Sequence, residues 1–308
     1  MKKTVKIILT VLIVLALTIG CGLLWLQHRP AVPDGYQSQV AAGTKAEQIF
    51  LENGPYAAEE FEEPAMQNFS KYEVFYPDTA RSGKDQLPDR LPVVVLCNGT
   101  GIPLSRYKAL AEHYASWGFV VIGTEEQYSW NGFGARMCLE HLKKLNSRRM
   151  LSEDQANPLY KRIDLDAVGL AGHSQGGVGV LNAAADGGFR TAVALSCTNM
   201  ALADSLEWSF DPSRVSVPML LVSGAGGGDD WVVTGDQLKE IQDRLAGPSV
   251  SLRRKDTPHG EMLYSADGLV TAWLLWQLQQ NQEAKELFEG PDAQILTNPA
   301  YQDLRLVS

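Results

Sequence analysis

Only four cysteines occur among the 308 residues, and one of them, Cys21, falls inside an apolar N-terminal run. Cys97, Cys138 and Cys197 remain, an odd number without metal-ligand spacing, so neither a disulfide framework nor a zinc site is implied. Cys97 and Cys197 lie in or beside apolar runs and read as small buried hydrophobes. Positive charge is scarce too. The 27 Lys and Arg face 36 Asp and Glu, and Lys2, Lys3 and Lys6 are the only charged residues of the first 26, so without that segment the net charge falls from -9 to -12. Such an acidic body excludes nucleic acid as a partner. Charged residues make up 20% and hydrophobic ones 45%, a balance that suits one substantial core and not a disordered chain. Neither an internal repeat nor a second domain is visible.

The N-terminus is set apart by an uncharged run from Ile7 to Leu26, 20 residues and long enough to span a bilayer. Residues 1–26 read as a retained signal-anchor whose lysines stay in the cytoplasm, because the run continues apolar through Gly22, Leu23, Leu24, Trp25 and Leu26 where a cleavage site would stand. A cleaved signal peptide is the competing reading. A third is lipidation at Cys21, since Thr18-Ile19-Gly20-Cys21 matches a bacterial lipobox in part, with Thr18 where the motif carries Leu. All three place the following domain on the extracytoplasmic side. Residues 27–45, with two prolines, two glycines and no apolar periodicity, are expected to be a tether, and residues 46–308 the folded domain.

Within that domain, the acidic stretch Glu59, Glu60, Glu62 and Glu63 reads as a solvated face, Tyr72 to Tyr76 as an early strand and residues 80–90 as a hairpin loop. Pro92 to Leu96 is a continuous β-branched run of the kind buried on both faces of a parallel sheet. Strands and amphipathic helices then alternate. Tyr107 to Tyr114 is helical, Phe119 to Ile122 a strand, Ala135 to Leu145 a helix, Ala167 to Ala171 a strand and Gly176 to Ala185 a helix. Strands at Thr191 to Leu195, Pro218 to Val222 and Val250 to Leu252 follow, and a closing helix from Leu269 to Leu287.

The segment Gly172-His173-Ser174-Gln175-Gly176 is a G-x-S-x-G placed directly after one expected strand and before one expected helix. There a sharp turn forces the serine out of the sheet edge, and the helix N-terminus favours negative charge developing on a substrate oxygen. Such a serine needs a histidine base held by a carboxylate. His28 falls in the tether, His113 and His141 on upstream helices and His173 within the elbow, so His259 is the base by elimination. The acid is expected after the strand Pro218 to Val222, where Asp229, three residues before Val232, is preferred to Asp230. For the oxyanion hole the candidates are the backbone N–H groups of Gln175 and, from the loop after Pro92 to Leu96, Thr100. This elbow implies an α/β-hydrolase fold: a mostly parallel central sheet with helices on both faces. About 18 residues separate Thr198 from Val217, too few for a large cap domain, which predicts an open site.

From about Gly54 to Gly290 the sequence resembles the bacterial polyester hydrolase, cutinase-type and chlorophyllase-like branch of the α/β-hydrolases, which includes relatives of platelet-activating-factor acetylhydrolase. The landmarks are YEVFYPDT, PVVVLCNGTG, WGFVVIGTE, DAVGLAGHSQGG, VPMLLVSGA and TAWLLWQL. The resemblance implies a Ser-Asp-His triad, no cofactor or metal, and oxyanion donors at Thr100 and Gln175. It also points to Gly99 and Thr198 as substrate contacts. Departures are Gln175 in place of Met, Thr100 in place of an aromatic residue, Thr198 in place of a stacking Trp, and the missing C-terminal disulfide. The expected activity is hydrolysis of a small-molecule, lipid or polymer ester through an acyl-enzyme. The competing readings are an acyltransferase with the same triad and a catalytically silent membrane-tethered binding module.

Overall fold

The computed structural model describes residues 29–66, 69–78 and 87–308. The expected anchor, and most of the loop expected at 80–90, lie outside them. Among the described residues no helix is long and apolar enough to cross a membrane.

The β-branched runs form one sheet. Its strands are β1 (Ala58–Pro64), β2 (Lys71–Pro77), β3 (Leu91–Cys97), β4 (Val120–Thr124), β5 (Ile163–His173), β6 (Thr191–Leu195), β7 (Met219–Ala225), β8 (Ser249–Lys255) and β9 (Tyr301–Val307). They lie in the order β1-β2-β4-β3-β5-β6-β7-β8-β9. From β4 to β8 every pairing is parallel, while β1, β2 and β9 join antiparallel at the two edges.

The pleat splits the apolar residues of each strand between two cores. Val94, Leu96, Val121, Val193, Leu195, Leu220 and Val222 face a layer built from helices α1 (Lys45–Leu51), α2 (Lys108–Ser116) and, near the C-terminus, Asp267–Gln279. Val93, Val95, Val120, Ile122, Ala192 and Leu221 face α3 (Phe133–Ser147), α4 (Gln175–Asp186) and α5 (Gly235–Arg244). The C-terminal helix, α6 (Asp267–Gln279), is buried nearly all round, as its continuous apolar sequence requires. This is the α/β-hydrolase architecture. Only short helical turns, Met200–Ser205 and Pro212–Arg214, occupy the chain between β6 and β7, so no cap domain stands there.

The structure departs from the sequence reading at four points. The acidic stretch is the edge strand β1, with Phe61 and Glu63 turned inward, Glu63 ion-paired with Arg148 and 2.8 Å from His141 Nε2. Charge on an edge strand protects it from pairing with another chain, and it also hid the strand from a hydropathy reading. Strand β9 carries Asp303 and Arg305 and was hidden for the same reason. The closing helix stops at Gln279, where Gln280 takes a left-handed conformation (φ 56°), and a separate short helix follows over Gln282–Lys285.

The fourth departure matters most. From residue 29 onward the expected tether belongs to the folded body. The amides of Ala31 and Val32 donate to the Arg106 carbonyl (2.8 and 3.3 Å), and Val32 and Tyr36 are fully buried. The Tyr36 hydroxyl donates to Asp267 Oδ2 at 2.5 Å, and His113 Nδ1 reaches the same oxygen at 2.9 Å. Further on, Glu47 of α1 accepts from Tyr301 Oη (2.7 Å), Asn298 Nδ2 (2.8 Å) and Gly43 N (2.8 Å), which staples the N-terminal segment to β9. One buried tyrosine and one buried glutamate hold a segment whose composition reads as linker. Tyr36→Phe is therefore expected to lower the unfolding free energy by about 1–3 kcal/mol in urea denaturation. A change within about 0.5 kcal/mol, as for an exposed linker residue, would contradict this packing.

Candidate active site

The parallel strands end along one edge of the sheet, and the residues singled out in the sequence gather there. Ser174 follows β5 directly and has φ 59° and ψ -122°, a strained conformation for a side chain with a Cβ. The strain follows from how closely β5, α4 and β3 approach. A Cβ on Gly172 would sit 2.5 Å from the Gly176 carbonyl oxygen, and one on Gly176 would sit 2.2 Å from the Cys97 carbonyl oxygen. Only glycine fits both positions. The turn is pinned by the Ser174 amide, which donates to the Leu195 carbonyl of β6 at 2.8 Å.

His259 stands on the loop after β8, with Nε2 3.0 Å from Ser174 Oγ and Nδ1 2.6 Å from Asp229 Oδ1. A carboxylate can only accept, so Nδ1 carries the proton and Nε2 presents its lone pair to the serine hydroxyl. Asp229 is fully buried, and its other oxygen accepts from the Gly224 amide (2.5 Å) and Ser196 Oγ (2.9 Å). Those bonds fix the carboxylate plane that orients the imidazole. Asp230 points elsewhere. It pairs with Arg253 and accepts from the Gly226 amide at 3.1 Å, while Arg253 also donates to the Gly224 carbonyl at 2.8 Å. The two adjacent aspartates thus divide their work: Asp229 faces the imidazole, and Asp230 holds the loop that carries Asp229.

The amide of Gln175 opens α4 beside the serine. Its side chain turns inward, fully buried, with Oε1 accepting from the Ser129 amide at 2.9 Å, so only the backbone of Gln175 faces the site. The loop after β3 is held on either side of Thr100. The Gly99 amide donates to Tyr107 Oη and the Gly101 amide to the Gln127 carbonyl, both at 2.9 Å. Asn98 braces it from below through Thr124 (2.7 Å) and Glu126 (2.8 Å) carbonyls. Gly99 and Thr198, expected as substrate contacts, are both buried. The exposed side chain beside the base is Trp231, 70% exposed, with its ring centroid 5.8 Å from that of His259. Its position two residues after Asp229 was readable in the sequence, but its exposure was not.

A model of the PET hydrolase-like family matches residues 36–234, and this settles the relationship. The chain belongs to that family. No curated protein matches it. Membership makes this PET hydrolase-like chain a carboxylic ester hydrolase. Among the described residues no group of three or more His, Cys, Asp or Glu is placed to hold a metal ion.

His173 is the site residue that the sequence left without a role. Its Nε2 lies 2.8 Å from the His259 carbonyl oxygen, and the two rings are 4.6 Å apart. A carbonyl only accepts, so Nε2 of His173 carries the proton. Burial first, and then the neighbouring His259, push the His173 pKa from its ordinary 6.5 down to about 3. As pH falls below 6.5 the unfolded chain binds a proton that the folded chain refuses until about pH 3, so the unfolded state binds more protons and stability falls with pH. This contribution is intact above about pH 6.5 and is lost on acidification by up to about 1.4 kcal/mol per pH unit. The unfolding free energy of wild type relative to His173→Gln is expected to drop with that slope between about pH 6.5 and 4. A difference that does not change with pH would contradict a neutral, buried His173.

Proposed function

We propose that this PET hydrolase-like chain cleaves esters by acyl transfer through Ser174, with His259 as base and Asp229 as the orienting acid. The observation that carries the reading is the unbroken pair of hydrogen bonds from Ser174 Oγ through His259 to Asp229, at 3.0 and 2.6 Å. Both lengths lie in the range in which a proton can pass. Ser174 Oγ attacks the ester carbonyl while His259 Nε2 takes its proton. The tetrahedral oxyanion is met by the Thr100 and Gln175 amides. His259 then protonates the departing alcohol as the acyl-serine forms. Water, deprotonated by His259, releases the acid and restores Ser174.

Specificity follows from the absence of a cap and from Trp231. An open edge with an indole beside the base suits a bulky apolar ester that lies along the surface, the indole supplying contact area at little entropic cost. Where relatives of the resembled branch carry an aromatic platform near Thr198, the exposed indole here comes from the loop after β7. The domain works outside the cytoplasm, and residues 1–26 hold it to the membrane.

With short p-nitrophenyl esters, Ser174→Ala, His259→Ala and Asp229→Asn are expected to lower kcat by about 10^4-fold or more. Asp230→Asn is expected to stay within about tenfold of wild type, because it removes a loop support and leaves the orienting carboxylate in place. Fluorophosphonate labelling is expected to disappear only in Ser174→Ala among the folded variants with an intact base. Turnover retained by Ser174→Ala would sink the mechanism, and an Asp230→Asn loss as large as that of Asp229→Asn would reverse the assignment of the acid.

A further inference from the structure

The three most exposed large apolar side chains among the described residues are Trp231 (70%), Met66 (64%) and Tyr128 (61%). They come from distant parts of the sequence and are spread along one edge of the sheet. Trp231 follows the C-terminal end of β7 and Tyr128 that of β4. Met66 follows β1, which runs in the same direction as the parallel strands, because β1 is antiparallel to β2 and β2 is antiparallel to β4. Phe133, 42% exposed and in ring contact with Phe69 at 5.7 Å, extends the patch beyond Tyr128. Ser174 opens on this same edge, between Tyr128 and Trp231 in the strand order, and His259 lies beside Trp231. Exposed apolar groups set at intervals along the edge that carries Ser174 suit a surface that meets another apolar phase.

The chain joins the fold at the same edge. Arg29, the first described residue, offers its carbonyl to Arg106 Nε at 2.8 Å in the loop after β3. Because residue 29 already belongs to the folded body, only Gln27 and His28 separate that body from the uncharged run Ile7 to Leu26. From Leu26 to Arg29 the chain can span at most about 10 Å. A long tether would let the domain face any direction. A link this short does not.

We propose that the catalytic edge seats against a lipid bilayer, with Trp231, Tyr128 and Met66 in the interfacial layer, and that the ester reaches Ser174 from the membrane side. Indole and phenol rings with one polar end suit the headgroup level, and methionine the outer acyl region. Acidic groups on the rim, among them Glu261 and Asp230, give no attraction to anionic lipid, so the contact is apolar and holds on neutral membranes. The favoured substrate class is an amphiphilic ester dissolved in the bilayer. The substrate half of this inference rests on the assignment of Ser174 as nucleophile, and the docking half stands without it.

The full chain reconstituted in phosphatidylcholine vesicles tests both halves. Brominated acyl chains are expected to quench a tryptophan component that is lost in Trp231→Phe and lost equally in the Met66→Asp/Tyr128→Asp double variant. That double variant is expected to hydrolyse a long-chain ester dissolved in the vesicles about tenfold more slowly than wild type. Its turnover of a water-soluble short ester is expected to be unchanged, since neither residue touches the triad. Trp231 left unquenched in reconstituted protein would overturn the docking. So would wild-type hydrolysis of the vesicle ester by the double variant, a dimer that buries the rim in place of lipid, or a rim that binds insoluble polyester but no vesicle. Loss of soluble-ester turnover by wild type, with Trp231 still quenched, would instead overturn the hydrolytic assignment and leave the docking in place.

Discussion

The close crossing of β5, α4 and β3 is the constraint from which the rest of the site follows. Gly172 and Gly176 let the α4 backbone come within van der Waals reach of the strand and of Cys97. That approach leaves the chain between them no conformation but a sharp one, with Ser174 at φ 59°. The strain costs about 1–3 kcal/mol, and the buried β-branched strands on both sides hold it in place. In return the serine hydroxyl stands clear of the sheet, the Gln175 amide faces the same point, and the β8 loop can bring His259 to it.

The loops around that turn are held by hydrogen bonds from buried groups. Asp229 has one oxygen, Oδ2, held by the Gly224 amide and Ser196 Oγ, which leaves Oδ1 for His259. Arg253 ties the Gly224 carbonyl to Asp230, and so keeps the backbone that presents Asp229 from drifting. On the other flank Asn98, Ser129 and the Gln175 side chain lock the loop that carries Thr100, with Ser129 Oγ donating to the Asn98 carbonyl at 2.5 Å. His173 adds a bond to the backbone of the base itself. Each support is neutral or internally paired, so the site keeps its geometry without accumulating unbalanced charge beside the serine.

The parallel half of the sheet was legible because its strands are buried on both faces and read as continuous apolar runs, and the elbow because glycine spacing and element order agree. His259 could be singled out by elimination, since it alone of the five histidines follows the serine, and its Nε2 stands 3.0 Å from Ser174 Oγ. What was hidden is physically uniform. Strands β1 and β9 are edges whose charges mask their pattern, and the 29–44 segment is held by Tyr36 and Glu47, whose partners Asp267 and Tyr301 are more than 200 residues away. Local composition does not record such contacts. The same holds for the Arg253 partner of Asp230, although the preference for Asp229 could be read from its spacing to Val232, and for the exposure of Trp231, which depends on the loops around it.

The most direct test of the central claim is chemical. Acid quenching during turnover of a slowly deacylating ester, followed by digestion and mass analysis, reads where the acyl group resides. The account predicts one acyl group per chain, on the peptide containing Ser174 and on that residue. An acyl group found on another residue, or no covalent intermediate during active turnover, would contradict it.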